Sequence, residues 1–295
     1  MEEYISLMNI NFTALRAFYE VARCNSFTLA ADHLCLTQPA VSKAVSGLED
    51  VLGISLFERT SRQVRLTEAG QGLWDHARSI FAMEQAAMDE IVQRRGLRRG
   101  KLHIGASTTI ASFWLVQELA RYLQCYPDID VHVSAGNTQS MVQRVLDGEV
   151  EMALVEGGVI EEPRLDCRWW RNEPLLLVTA PTYPVQHHDL NCSRWVMREQ
   201  GSGTAQVVHD YLERAGIFPQ ARVVVESNQA VVEMVVAGAG IAIVPLVLAR
   251  HYQERGELVP LPWPLYPLER PLTKISLRGR QPSPAREAFE ALLVS

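Results

Sequence analysis

The stretch from Thr37 to Gly53 constrains this chain more than any other. Val41, Val45, Leu48 and Leu52 recur at spacings of 4, 3 and 4, one apolar face of a helix. Thr37 is a good N-cap, Pro39 falls in the first turn where its missing N–H is harmless, and Gly53 stops the pattern. The spacing predicts a helix over 38–52. Its other face carries Gln38, Ser42, Lys43 and Ser46, short polar or basic groups that can enter a major groove and bond base edges or phosphates. An ordinary solvated face carries Glu and Lys pairs. Here Glu49 and Asp50 come only at the C-terminal end, so the N-terminal residues are the ones placed to read DNA.

The flanking residues complete a small head. Phe12, Leu15, Phe18, Tyr19 and Ala22 line one side of an amphipathic first helix over 11–22. Asn25-Ser26 breaks it, and Thr28 is expected to cap a second short helix over 29–34, with Asp32 in its first turn. After Gly53, residues 56–59 and 64–66 read as short strands around a wing. There Arg59, Arg62 and Arg65 recur every third residue, placed to pair phosphates or enter a minor groove. From Asn9 to Leu66 six basic residues face five acidic ones, a net +1, while the whole chain of 295 residues carries −6. A head this weakly basic depends on where its charges sit and on acting together with other heads.

Residues 26–70 resemble the winged helix-turn-helix of LysR-type transcriptional regulators almost without a gap. The resemblance rests on Ala30-Ala31, Leu34, Thr37-Gln38-Pro39-Ala40-Val41-Ser42, Leu48-Glu49, Leu52-Gly53, Leu56-Phe57-Glu58-Arg59 and Leu66-Thr67-Glu68-Ala69-Gly70. Lys43 stands where many members have Arg, which keeps a phosphate-binding charge and gives up bidentate geometry. The resemblance covers nearly the whole chain. It implies a bacterial, cytoplasmic regulator, not an enzyme. Thr37, Gln38, Pro39, Ser42, Lys43, Ser46, Arg59 and Arg62 would contact double-stranded promoter DNA. A small-molecule co-inducer or corepressor would bind the body, with no cofactor and no metal. The implied assembly is a homodimer or homotetramer that can meet RNA polymerase. Residues 1–7 read as an extension, because the pattern would also be satisfied by a start at Met8.

Thr67 should cap a long helix. Leu66, Leu73, Ile80 and Ala87 repeat every seventh residue, with Ala69, Ala77, Phe81, Met88 and Ile91 beside them. About 28 residues of seam span roughly 40 Å, which suits dimerisation better than packing on one domain surface. It matches the family's linker helix. Residues 94–100 form a basic, glycine-containing hinge. Strand and helix patterns then alternate to the end, which predicts an α/β body with mostly parallel sheets. The expected division is a head at 1–66, a linker helix at 67–95, a hinge at 96–100 and an effector domain at 101–295. The last resembles a periplasmic-binding-protein-like domain, with one subdomain at 101–171 and 270–295 and the other at 172–269. Trp169-Trp170, at the first crossing between them, is expected to pack the hinge.

Ligands of open α/β sheets sit beyond the C-terminal strand ends, where helix N-termini offer free N–H groups. Four such junctions carry small hydroxyl or amide residues: Ser107-Thr108-Thr109, Asn137-Thr138, Gly201-Ser202-Gly203-Thr204 and Ser227-Asn228. Singly each is an ordinary N-cap. Together they suggest a small anion or carboxylate in a cleft between subdomains. The segment 105–110 is similar to the branch of the family that controls sulfur or carbon-fixation genes, although Phe113-Trp114-Leu115-Val116 stands where such relatives often have Pro.

Other chemistry finds little support. Gly201-Ser202-Gly203 lacks the flanking glycines of a nucleophile elbow, and Gly238-x-Gly240 follows a helix and precedes a strand, the wrong order for a dinucleotide loop. His187-His188-Asp189 with Cys192 lacks a second ligand pair. Five widely spaced cysteines without a CxxC disfavour both a disulfide framework and a zinc site. Two alternatives remain: an enzyme tethered to DNA, which lacks a catalytic constellation, and a ligand-independent or redox-sensing regulator using Cys167 or Cys192. No apolar run is long enough to suggest a membrane helix.

Overall fold

Each helix of the head starts where a side chain meets its orphan N–H groups. In the computed structural model, which describes residues 10–58, 64–93, 100–157, 160–185, 190–263 and 267–293, α1 (Phe12–Cys24) is capped by Asn11. Its Oδ1 accepts from the Thr13 and Ala14 amides at 2.8 and 3.3 Å. Helix α2 (Phe27–His33) begins earlier than the sequence suggested. Ser26, not Thr28, is its cap, because the Ser26 hydroxyl takes the Leu29 N–H at 3.3 Å and leaves Thr28 inside the helix. Asn25 and Cys35, at φ 48° and 53°, make the left-handed turns on either side of α2. Helix α3 (Gln38–Leu52) has the predicted bounds and ends on Gly53 at φ 67°. Thr37 precedes it in extended backbone without a side-chain cap bond.

Phe18, Val21, Ala30, Val41, Val45 and Leu48 interlock in one core. Glu49 belongs to the frame of the head: its Oε1 accepts from the Leu56 and Phe57 amides at 2.6 and 3.2 Å, tying the recognition helix to the wing. Phe57 bridges Leu66 in antiparallel fashion. The wing tip, with Arg59 and Arg62, and most of the hinge at 94–100 lie outside the described residues.

Helix α4 (Glu68–Gln93) is capped by Thr67, whose hydroxyl accepts from the Gly70 amide at 3.0 Å and donates to the Ser55 carbonyl at 2.8 Å. Gly70 must be glycine here, since a Cβ would sit 2.0 Å from the Leu56 carbonyl oxygen. The seven-residue seam divides in two. Leu66, Leu73 and Ile80 pack with buried Ala77 and Phe81 against the head's own core. Met83 and Met88 further along are 70% and 56% exposed.

The chain forms two compact units, Met1–Gln85 and Ala86–Ser295. In the second, β1 (Gly100–Ser107) pairs in parallel with β2 (Ile129–Gly136) and with β3 (Met152–Glu156). Helices α5 (Leu115–Cys125) and α6 (Thr138–Leu146) connect them, and a π-helical turn, Ile110–Trp114, leads into α5. The long β4 (Leu165–Thr179) leaves this sheet for a second one. The second sheet holds β5 (Arg194–Arg198), β6 (Ala221–Val225), β7 (Ile241–Pro245) and the short β8 (Val259–Pro260). It is served by α7 (Gly203–Arg214), α8 (Asn228–Val236) and α9 (Leu246–Glu254). Strand β9 (Glu269–Leu277) returns to the first sheet, and α10 (Pro284–Leu293) covers it. Strands β4 and β9 run antiparallel to each other and to β7 and β3, so the sheets are mixed rather than mostly parallel. The first half of β4 escaped the sequence reading because its register shifts between Trp169 and Arg171 and its alternation breaks into Trp169-Trp170 and Arg171-Asn172-Glu173 before Pro174. Among the described residues no helix is long and apolar enough to cross a membrane.

Replacing Glu49 with Ala leaves two backbone donors without their acceptor. Urea unfolding should show a loss of about 1–3 kcal/mol, with secondary structure unchanged in the native baseline.

Candidate functional site

Helix α3 holds the predicted reading side chains clear of the core. Val41, Val45 and Leu48 are buried; Thr37, Gln38, Pro39, Lys43 and Ser46 are exposed, and Ser42 is half-buried. The four polar residues of the predicted face thus line one edge of a helix anchored on its other side. Arg59 and Arg62 fall outside the described residues.

In the second unit the cleft residues converge where the two sheets meet. Arg270 is fully buried at the start of β9, opposite Glu173 of β4. Its Nε donates to Glu173 Oε2 at 2.7 Å, Nη2 lies 3.2 Å from Glu156 Oε1, and Nη1 donates to the Thr204 hydroxyl. The other Glu173 oxygen accepts from the Trp114 indole at 2.8 Å. The π-helical turn places that indole, and Arg171 stacks on the rings of Trp114 and Trp170 at 4.9 and 4.1 Å. Trp170 is packed and bonds the Leu293 carbonyl; Trp169 is largely exposed.

The predicted effector residues divide by role. Asn228, 2% exposed, donates to the hydroxyls of both Thr109 at 2.8 Å and Thr204 at 3.2 Å, and so joins three of the four junctions. Thr138 donates to the Glu156 carbonyl at 2.9 Å and accepts from the Gly203 amide at 3.2 Å, which brings the N-termini of α6 and α7 together. Gly203 is glycine because a Cβ would lie 1.8 Å from the Glu156 carbonyl oxygen. Asn137 caps α6 through the Ser140 amide and donates to Glu199 at 3.2 Å. Ser202 caps α7 through the Ala205 amide, and the Gly201 carbonyl accepts from the Gln139 amide at 3.0 Å. Ser107 is fully buried and its hydroxyl has no hydrogen-bond partner. Thr108 contributes only its backbone, accepting from Ser112. A cavity of about 10 Å³, room for one water, remains beside Arg198 and Thr204.

Sequence reading missed Arg270, Glu173, Glu156, Arg198 and Glu199, because charged residues inside strands or at their ends carry no motif. Arg198 Nε donates to Glu199 Oε2 at 2.7 Å, yet its buried Nη1 has no partner. Burial pushes the Glu199 carboxyl up, but hydrogen bonds from Arg198 and Asn137 outweigh it and hold the group below its ordinary value. Among the described residues no cysteine is in a disulfide, and burial pushes the Cys167 thiol up, away from the thiolate a redox sensor needs.

Two units, one a helix-turn-helix with an exposed polar recognition face and the other a pair of sheets joined through β4 around a buried cluster of hydroxyls, define a DNA-binding regulator with a ligand-binding body. Residues 12–71 match the bacterial regulatory helix-turn-helix of the lysR family, and residues 95–295 match the LysR substrate binding domain. The chain belongs to the LysR family of transcriptional regulators. It is 32% identical over 295 residues to the RuBisCO operon transcriptional regulator of Allochromatium vinosum, covering 98% of this chain and 97% of that protein. The fold resembles that of a full-length OxyR variant from Pseudomonas aeruginosa, with a TM-score of 0.73 at 20% identity over 97% of this chain and 94% of that one. The regulatory domain of Synechocystis PCC6803 CcmR in complex with 2-PG matches with a TM-score of 0.60 at 25% identity, over 66% of this chain and 96% of that one.

Truncating Arg270 to Met strands Glu173 beside Glu156 without its cation. Breaking a buried pair costs about 3–5 kcal/mol, so thermal denaturation should show a large loss of stability in the second unit. Glu199 sets a pH dependence. Its pKa is lower folded than unfolded, so its contribution is complete above about 4.5 and is lost as pH falls through the folded value. Glu199→Gln should flatten the acid limb of the stability curve.

Proposed function

We propose that this regulator binds promoter DNA through Thr37, Gln38, Pro39, Ser42, Lys43 and Ser46, with Arg59 and Arg62 on the flank. Its response follows a small anion or carboxylate bound among Ser107, Thr108, Thr109, Asn137, Thr138, Gly201, Ser202, Thr204 and Asn228. The single observation that carries the effector reading is the convergence of three helix N-termini. Thr138 of α6 meets the Gly203 amide of α7, and Asn228 of α8 meets Thr204 of α7. Helix N-termini repel one another and attract negative charge, so an anion here relieves a conflict built into the fold. The Ser107 hydroxyl and Arg198 Nη1, both buried without partners, are donors such a ligand can use. The 2-PG bound by CcmR is a precedent for a small ligand in a domain of this kind.

The division proposed is a head at 1–66, a linker helix at 67–95, a hinge at 96–100 and an effector domain at 101–295. The protein acts in the bacterial cytoplasm as a homodimer or a pair of dimers, and RNA polymerase is the downstream partner. The exposed Met83 and Met88 of α4 and the half-exposed Phe12 supply apolar surface for the dimer. Two heads then supply the affinity that one weakly charged head lacks. Effector binding shifts the population of conformations, and by linkage the DNA and the effector influence each other's affinity.

Ser42→Ala and Lys43→Ala should each weaken promoter binding in gel-shift titrations while the dimer persists in sedimentation; wild-type affinity in both overturns the reading surface. Met83→Glu should shift sedimentation toward monomer. In a thermal-shift screen of the full chain against small carboxylates and phosphates, a binder should raise the midpoint with ligand concentration. Ser107→Ala should remove that rise and leave DNA binding intact.

A further inference from the structure

The head carries a cluster that DNA reading does not use. Glu20 and Cys24 stand one turn apart on α1, and His33 ends α2. One oxygen of Glu20, the sulfur of Cys24 and Nδ1 of His33 lie within 4.8 Å of one another. The sulfur is 3.5 Å from Nδ1, and Nδ1 is 3.6 Å from Glu20 Oε2. A tetrahedral zinc ion, with Zn–S about 2.3 Å and Zn–N or Zn–O about 2.0–2.1 Å, needs a sulfur–nitrogen edge of about 3.5 Å and a nitrogen–oxygen edge of about 3.4 Å. Two of the three edges therefore stand close to the separations such an ion imposes, and a modest side-chain adjustment closes the third.

A cation already occupies the focus of these groups. Arg23 Nε and Nη2 donate to Glu20 Oε2 at 3.0 and 2.8 Å, and Nη2 lies 2.8 Å from His33 Nδ1. A guanidinium can only donate, so in this contact Nδ1 faces Arg23 with the lone pair a metal would take. The Arg23 side chain is 45% exposed and can turn out to water, whereas Glu20 is only 13% exposed and is held in place.

We propose that Glu20, Cys24 and His33 form a site for a thiophilic divalent cation of the zinc class, which replaces the Arg23 guanidinium. Cys24 binds as the thiolate and releases its proton to solvent, the carboxylate supplies the second negative charge, and a water completes the tetrahedron. The metal would pin the C-terminal end of α2 to α1. That end leads through Cys35 into α3, and the Leu36 amide is bonded to the Ala31 carbonyl of α2 at 2.9 Å. Metal binding thus bears on how the recognition helix is held, independently of any effector in the second unit.

Cobalt(II) titrated into the full-length protein tests this, because thiolate coordination gives a near-ultraviolet charge-transfer band. One equivalent should produce the band, and zinc should displace it. Cys24→Ser should abolish it and Cys35→Ser should leave it. His33→Ala should weaken cobalt binding at least about tenfold, the loss seen even for groups that merely support a ligand. Arg23→Ala should strengthen binding several-fold, since the competing cation is gone, and circular dichroism checks that each variant is folded. No band in the wild type, a band that survives Cys24→Ser, an unchanged affinity in His33→Ala or a weakened one in Arg23→Ala overturns the site.

Discussion

The second unit depends on the ion cluster of Arg270, Glu173 and Glu156. The chain crosses between its sheets in β4 and again at the start of β9, and the buried charges sit at these crossings. Burying three such groups is costly unless each is paired and bonded. The pairing is spread over the fold: Arg270 reaches Thr204 of α7, Glu173 reaches Trp114 of the π-helical turn, and Thr204 shares Asn228 with Thr109. The same charges that anchor the crossings therefore orient the hydroxyls of the cleft. Structural anchor and candidate binding surface are one network, and a change at either end is felt at the other.

The head rests on a different balance. Its three helices share an apolar core that α4 completes with Ala77 and Phe81. Aromatic contacts reinforce that junction, with Tyr19 stacked on Trp74 and Phe12 edge-on to Phe81. The first rungs of the heptad pattern serve this purpose, which separates two roles that a single periodicity had merged. Leu73 and Ile80 hold the linker helix to the head, while Met83 and Met88 further along the same helix stay exposed.

Legibility in the sequence followed periodicity. The bounds of α3 were readable because Val41, Val45, Leu48 and Leu52 repeat without interruption and Thr37 and Gly53 bracket them. The start of α2 was not, because Ser26 and Thr28 are both plausible caps and only the Leu29 amide chooses between them. Strand–helix junctions were legible as clusters of small polar residues, and Asn137, Ser202 and Ser227 do cap helices. Long-range partnerships were not: nothing local links Glu173 to Arg270 across 97 positions, or Asn228 to Thr109 across 119. The first half of β4 was hidden for a related reason, since its interrupted pattern answers to β9, a neighbour distant in sequence.

The contact of Gly203 with the Glu156 carbonyl has a consequence for how the second unit is put together. Backbone meets backbone there, and only a residue without a Cβ lets the N-terminus of α7 come this close to the end of β3. Any side chain at 203 would push the two apart and pull Thr138 away from the Gly203 amide it bonds. The approach of these two ends is therefore written into a single missing methyl group.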